Sequence, residues 1–151
     1  MSATPDRELV FSRLLKAPRA LVFSAWTKAE HLDRWWGPYG FTTTTFEIEF
    51  RVGGKWRYNM RGPDGTDYPN WIVWTKIVEP ELLEYDHGGE DNEPRHFQVE
   101  TTFTEEAGGT RISMCLIMPT REALEEVKKH GATDGGNQTL ARLDEYVATL
   151  S

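Results

Sequence analysis

Histidines and tyrosines are the side chains in this sequence that could carry acid–base chemistry. Two of the four histidines, His31 and His130, lie among charged residues and are expected to be solvated. Strand alternation makes Tyr58, Tyr85 and His87 the candidates nearest to the inner face of a sheet. An acid, a base or an oxyanion donor would come from these three, but no partner group is evident beside them in the sequence. We therefore predict no catalytic residue.

The other chemical motifs of the chain argue against metal, phosphate and nucleophile chemistry. No Cys/His pair has zinc-finger spacing and HExxH is absent, so we predict no metal site and no cofactor. The glycine-rich stretches lack the phosphate-binding GxxxxGK[ST] pattern, and there is no GxSxG nucleophile elbow. Cys115 is the only cysteine, so no intrachain disulfide can form and a reducing compartment, the cytoplasm, is expected. We predict that Cys115 is buried in a strand and is not an activated thiol.

Length and charge favour one globular domain that binds neither nucleic acid nor a membrane. The chain has 151 residues, of which 38% are hydrophobic, and we expect one domain over residues 8–150 after a flexible segment 1–7. Seventeen Lys and Arg against twenty-four Asp and Glu give a net charge of −7. This charge repels phosphate backbones and anionic headgroups. No apolar run approaches the roughly 20 residues of a membrane-spanning helix, and the first residues do not resemble a signal peptide.

The elements that would position these side chains are mainly strands. Two short helices follow the first strand, and a helical pattern near the end of the chain is interrupted at Gly131, Gly135 and Gly136. The last helix is expected at about 137–150. The predicted strands cover residues 8–16, 41–51, 55–61, 71–78, 82–87, 95–104 and 110–118. This order predicts an α+β fold, a curved antiparallel sheet of six to seven strands around a long C-terminal helix.

Large apolar side chains dominate one face of these strands. A curved sheet has more inner surface than the apolar stripe of one helix can cover, so large side chains fill the difference or a cavity remains. Six Trp, five Tyr and seven Phe fit both a solid aromatic core and a pocket for a small apolar or aromatic molecule. The residues that we expect to line such a pocket are Trp56, Tyr58, Met60, Trp71, Val73, Tyr85, Phe97, Val99, Met114, Leu116, Met118 and Leu140.

Three short motifs resemble those of a known family. They are RWWGP at 34–38, RVGGKWRY at 51–58 and MRGPDG at 60–65. In their order and spacing the chain resembles, over about residues 8–150, bacterial proteins of the activator of heat-shock-protein-90 ATPase homologue 1-like family. That family belongs to the START-like (SRPBCC) superfamily, with the Bet v allergens and polyketide cyclases. The resemblance implies the helix-grip fold, in which the sheet grips the C-terminal helix over a central cavity.

One position departs from the family pattern. Family members commonly carry Gly-Trp just before the last helix, where this sequence has Gly136 and Asn137. The loss of that ring would enlarge the mouth of the cavity or make it more polar. We therefore add Asn137 to the expected cavity residues, as a residue of the mouth.

Three functions stay open on this basis. The first is noncatalytic binding of a small hydrophobic or aromatic molecule. The second is an enzyme of the cyclase or aromatase kind, which would use Tyr58, Tyr85 or His87. The third is regulation of a chaperone ATPase, which the family name implies, although eukaryotic co-chaperones of that name contain two domains. Association into a homodimer, through an edge strand or exposed aromatic residues such as Trp74, is a further expectation.

Overall fold

Seven antiparallel strands and four α-helices make up the computed structural model, which describes residues 5–89 and 97–150. The strands are β1 (Glu8–Leu15), β2 (Thr42–Ile48), β3 (Lys55–Arg61), β4 (Asp67–Val78), β5 (Leu82–Gly88), β6 (Phe97–Glu106) and β7 (Gly109–Ile117). They form one sheet in the order β1-β7-β6-β5-β4-β3-β2. The helices are α1 (Arg19–Ser24), α2 (Ala29–Trp35), α3 (Arg121–Lys129) and α4 (Ala132–Ala148). The predicted α+β architecture, with two short helices after the first strand and a long C-terminal helix, is confirmed.

Two predicted segments lie partly outside the described residues. The segment 1–7 is described from residue 5, and Pro5–Arg7 form a 3-10 turn. Arg7 Nη1 donates to the Met118 carbonyl at 2.6 Å, and the Met118 amide donates back to the Arg7 carbonyl at 2.9 Å. Residues 90–96 are not described, so the predicted strand start at 95 stays a prediction.

The register of the central strands decides which side chains face the helices. Tyr85 of β5 lies opposite Trp74 of β4 and opposite Val99 of β6, and Val99 in turn lies opposite Leu116 of β7. Residues opposite each other in an antiparallel pair point to the same face of the sheet. These four side chains therefore form one row across the inner face.

Strand β4 presents the opposite face from the one we predicted. We expected Trp71 and Val73 to point inwards, whereas the side chains of Ile72 and Trp74 do so and are buried. Trp71 points to the outer face and lies against Gly88 of β5, where an added Cβ would be 2.2 Å from the indole ring. An outward tryptophan is thus buried because its neighbour has no side chain. Trp74 is correspondingly not an exposed aromatic residue, and it offers no dimer contact.

Helix α4 begins earlier than we predicted. Gly131 does end the preceding helical pattern, since it has a φ of 83° and stands just before Ala132. Gly135 and Gly136, however, lie inside the helix. A Cβ on Gly136 would be 2.2 Å from the ring of Phe11 on β1, so glycine allows the helix to approach the sheet closely. Tertiary packing here outweighs the low helix propensity of glycine.

Candidate ligand-binding cavity

Aromatic side chains fill the core beneath β2 and β3. Trp56 stacks on Tyr58 with ring centroids 4.0 Å apart, and Trp36 meets Trp56 edge to face at 4.9 Å. Trp26 packs edge-on against Trp35 at 5.0 Å and against Trp36 at 5.3 Å. All five rings are buried. This end of the core is solid, because the two tryptophans at the end of α2 occupy the space between helix and sheet.

A cavity of about 350 Å³ lies beside this aromatic cluster, between the sheet and the first turns of α4. Its size falls in the range of small-molecule sites, about 300–1,000 Å³. The lining is almost entirely apolar and contains no Arg, Lys, Asp or Glu among the described residues. It consists of Phe11, Trp36, Gly37, Pro38, Met60, Tyr85, His87, Phe97, Val99, Met114, Leu116, Ala132, Gly135, Gly136 and Thr139.

The structure brings together part of the predicted cavity set. Six residues of that set line the cavity, namely Met60, Tyr85, Phe97, Val99, Met114 and Leu116. The other seven lie elsewhere: Trp56 and Tyr58 in the solid aromatic core, Trp71 and Val73 on the outer face, Met118 and Leu140 in the core outside the lining, and Asn137 on the exposed side of α4.

The helical wall of the cavity is made of small residues that sequence reasoning missed. Ala132, Gly135, Gly136 and Thr139 follow one another at helical spacings of three, one and three residues, which places them on one face of α4. Asn137 lies on another face and is exposed, so it does not form the mouth that we expected. These residues shape the cavity by leaving space. Small residues at i, i+3 and i+4 in a helical pattern were the signal that could have found them.

A chain of hydrogen bonds joins the solid core to the cavity wall. The indole N–H of Trp36 donates to the Tyr58 hydroxyl at 3.2 Å, and that hydroxyl lies 3.0 Å from Nε2 of His87. An indole nitrogen can only donate, so the Tyr58 oxygen accepts from Trp36. In the second contact either the Tyr58 hydroxyl or Nε2 of His87 is the donor, according to the tautomer of His87. The same ring stacks on Phe97 at 4.6 Å, nearly parallel to it.

The tyrosine hydroxyls of this region are neutral. Burial raises the pKa of Tyr58, and the hydrogen bond from Trp36 offsets only a part of that increase. Burial likewise raises the pKa of Tyr85, against a smaller opposing effect of the neighbouring Thr101 hydroxyl. The Tyr85 oxygen has no hydrogen-bond partner of acceptable geometry among the described residues. Both phenols therefore keep their protons well beyond neutral pH, and neither is a general base.

Arg142 of α4 holds the loop that forms one side of the cavity. Its Nη1 lies within hydrogen-bonding distance of four backbone carbonyls, those of Trp36 (3.2 Å), Gly37 (2.9 Å), Pro38 (3.1 Å) and Phe41 (3.2 Å). Partial burial lowers the pKa of this guanidinium, although nearby Tyr39 and Glu145 oppose the change. A cation that faces several carbonyl oxygens fixes the backbone from which Gly37 and Pro38 line the cavity.

Other candidate chemistry does not converge on a site within residues 5–89 and 97–150. No three His, Cys, Asp or Glu side chains there are placed to hold a metal ion. Cys115 lies in β7, but it is half-buried and not fully buried as we predicted; burial together with Glu8 raises the pKa of its thiol to about 12. Among the described helices, none is both long and apolar enough to cross a membrane.

Comparison with known proteins identifies the fold and the family. No curated protein matches the chain. A Mycobacterium smegmatis protein superposes with a TM-score of 0.89 at 24% identity, over 100% of this chain and 97% of the other. A Nitrosomonas europaea protein gives 0.88 at 21% identity, over 99% and 98%. The AHSA1 protein of Silicibacter pomeroyi gives 0.75 at 19% identity, over 95% and 99%. Residues 16–148 match the model of the Activator of Hsp90 ATPase homolog 1-like proteins, and the chain belongs to that family.

Proposed function

We propose that this protein binds a small, uncharged apolar or aromatic molecule in the cavity between the sheet and α4. The observation that carries the proposal is the cavity itself, because about 350 Å³ of apolar space lies next to a tightly packed aromatic core. Protein interiors are close-packed, so an apolar hollow of this size is a favourable site for a small apolar molecule. The absence of Arg, Lys, Asp and Glu from the described lining supports an uncharged occupant.

The geometry supports binding better than catalysis. A cyclase or aromatase needs a base that can take a proton from the ligand. His87 is the imidazole in the described lining, and its Nε2 lies 3.0 Å from the hydroxyl of Tyr58, a residue of the packed core. Nε2 is therefore engaged by a core residue rather than presented to a ligand. An enzymatic role for the Tyr58 and His87 pair is therefore the second candidate.

A pair of helix substitutions at Gly135 tests the binding proposal. A Cβ at Gly135 would meet Pro38 Cγ at 3.5 Å, an ordinary contact, so the position accepts a side chain without strain. Gly135→Leu should fill the cavity from the helix side, whereas Gly135→Ala adds one methyl group and serves as the matched control.

The readout is the fluorescence increase of N-phenyl-1-naphthylamine, an uncharged probe, when it enters an apolar site. We expect saturable binding by the wild type and by Gly135→Ala, and at least about tenfold weaker binding by Gly135→Leu, because its side chain takes up volume that the probe needs. Equal binding by all three proteins would place the probe outside the cavity and contradict the proposal.

A further inference from the structure

Aromatic rings make up much of the cavity wall. The described lining contains five of them, those of Phe11, Trp36, Tyr85, His87 and Phe97. Branched aliphatic side chains contribute only Val99 and Leu116 to the same described lining. Pairs of aromatic rings that meet edge to face or offset gain free energy beyond the burial of their area. A ring inside this cavity would therefore find such partners, which an aliphatic molecule cannot use.

Two of the five rings have little contact with other rings of the protein. Trp36 is already surrounded, since it meets three other tryptophan rings edge to face at 4.9–5.4 Å. In contrast, Phe97 pairs with the ring of His87 alone within residues 5–89 and 97–150, and Phe11 pairs with no ring there. Phe97 and Phe11 are therefore the rings that are left to pair with a ligand.

Stacking on His87 orients the Phe97 ring beside the cavity. The two residues lie directly opposite each other on β5 and β6, and their ring centroids are 4.6 Å apart with the planes inclined by 11°. His87 is linked to the packed core through the Tyr58 hydroxyl, 3.0 Å from its Nε2. The side chain of Phe97 is only half-buried, so part of its ring stays uncovered. A ligand ring can contact this uncovered part.

The space and the remaining walls suit a planar molecule. A cavity of roughly 150 Å³ is large enough for benzene, so about 350 Å³ has room for two fused rings. On the helix side, Gly135 and Gly136 present backbone without side chains, against which a flat ring can lie. On the sheet side, Met60 and Met114 bring thioether groups, which make favourable contacts with aromatic rings.

We propose, building on the binding function proposed above, that the cavity selects a planar aromatic molecule over an aliphatic one of the same size. The ligand class is then a fused two-ring aromatic compound without a charged group. Phe97 determines this preference by pairing with the ligand ring from the half-exposed side of the cavity, and the buried Phe11 pairs with it from the inner side. An aliphatic ligand of equal area loses both ring pairings.

The test compares 1-naphthol with decahydro-1-naphthol, which share one carbon skeleton, carry one hydroxyl group each and are uncharged at neutral pH. Only 1-naphthol is aromatic and flat. Dissociation constants are measured by displacement of N-phenyl-1-naphthylamine from the wild type, from Phe97→Leu and from Phe50→Leu. Phe97→Leu replaces the selecting ring by an aliphatic side chain. Phe50→Leu is the matched control, because Phe50 is also half-buried and pairs with core rings but does not line the cavity.

Aromatic selection predicts that the wild type binds 1-naphthol at least about fivefold more tightly than decahydro-1-naphthol, the effect of one or two ring pairings. The ratio of the decahydro-1-naphthol Kd to the 1-naphthol Kd should fall about threefold in Phe97→Leu and stay at the wild-type value in Phe50→Leu. Equal affinities of the wild type for the two compounds overturn the selection and leave cavity binding intact. An unchanged ratio in Phe97→Leu, or an equal fall in both variants, overturns the role of Phe97. Failure of both compounds to displace N-phenyl-1-naphthylamine from the wild type overturns the selection and the cavity function together.

Discussion

The Tyr58 hydroxyl lies 3.0 Å from Nε2 of His87, although Tyr58 belongs to the solid aromatic core and His87 belongs to the cavity lining. Trp36 donates to the same hydroxyl at 3.2 Å and itself borders the cavity. One phenol thus connects the packed part of the interior to the hollow part. The contact with Tyr58 therefore links the position of the His87 ring to the packed core.

Removal of the Tyr58 hydroxyl should destabilise the fold. In Tyr58→Phe the buried indole N–H of Trp36 and Nε2 of His87 both lose a partner, at a cost of about 1–3 kcal/mol. Urea unfolding measures this cost. Tyr39→Phe is the control, because the Tyr39 hydroxyl bonds to Glu145 at the surface, and we expect a clearly smaller loss of stability there. Similar stabilities for the two variants would mean that the hydrogen-bond chain contributes nothing.

Substitution of the two adjacent glycines of α4 by alanine should change the stability of the protein in opposite directions. Gly135→Ala gains helix propensity and makes an ordinary contact with Pro38, so we expect a stabilisation of up to about 1 kcal/mol. Gly136→Ala gains the same propensity but places a Cβ 2.2 Å from the buried Phe11 ring. The resulting overpacking should destabilise the protein by about 1–3 kcal/mol. Thermal unfolding measures both changes, and a loss of stability in Gly135→Ala would contradict the packing described for α4.

Arg142 should stabilise the loop beside the cavity by donating to its carbonyls. Arg142→Met keeps much of the stem but leaves the partly buried carbonyls of residues 36–38 and 41 without this donor, so we expect a loss of about 1–3 kcal/mol. Arg142→Lys retains a cationic donor and should lose less. Urea unfolding ranks the three proteins, and N-phenyl-1-naphthylamine should also bind Arg142→Met more weakly, since Gly37 and Pro38 line the cavity. Equal stability of Arg142→Met and the wild type would show that the hydrogen bonds from Arg142 do not stabilise the loop.

Stability should fall at alkaline pH because of the buried tyrosines. The pKa values of Tyr58 and Tyr85 are raised in the folded state from an ordinary value of 10.0, so the unfolded chain loses these protons first. Their contribution is complete below pH 10 and decreases above it, by up to about 1.4 kcal/mol per pH unit for each tyrosine. The free energy of unfolding at several pH values from 8 upwards measures the slope. Tyr85→Phe should have a shallower slope above pH 10, and an identical slope would show that Tyr85 ionises normally.

Strand alternation and turn residues were sufficient to predict the sheet, its inner faces on β6 and β7, and the position of Tyr85. They failed on β4, where tryptophans stand on both faces. Trp71 can pack on the outer face because Gly88 of the neighbouring strand has no side chain. No pattern within β4 itself carries that information.

The location of the cavity was harder to predict for a related physical reason. It depends on how closely α4 approaches β1, through the contact between Gly136 and Phe11. Those two residues are more than a hundred positions apart in the sequence. The space is left by residues with little or no side chain, so the apolar pattern that marks Leu140 as core does not mark the cavity wall.

Methionine methyl NMR tests the central claim most directly. The chain has four methionines, of which Met60 and Met114 line the cavity while Met118 is buried outside it. In protein with carbon-13-labelled methionine methyl groups, bound 1-naphthol should shift the Met60 and Met114 resonances by its ring current and show proton contacts to both. The Met118 resonance should stay in place. Contacts to Met118, or binding without any effect on Met60 and Met114, would contradict the assignment of this cavity as the ligand site.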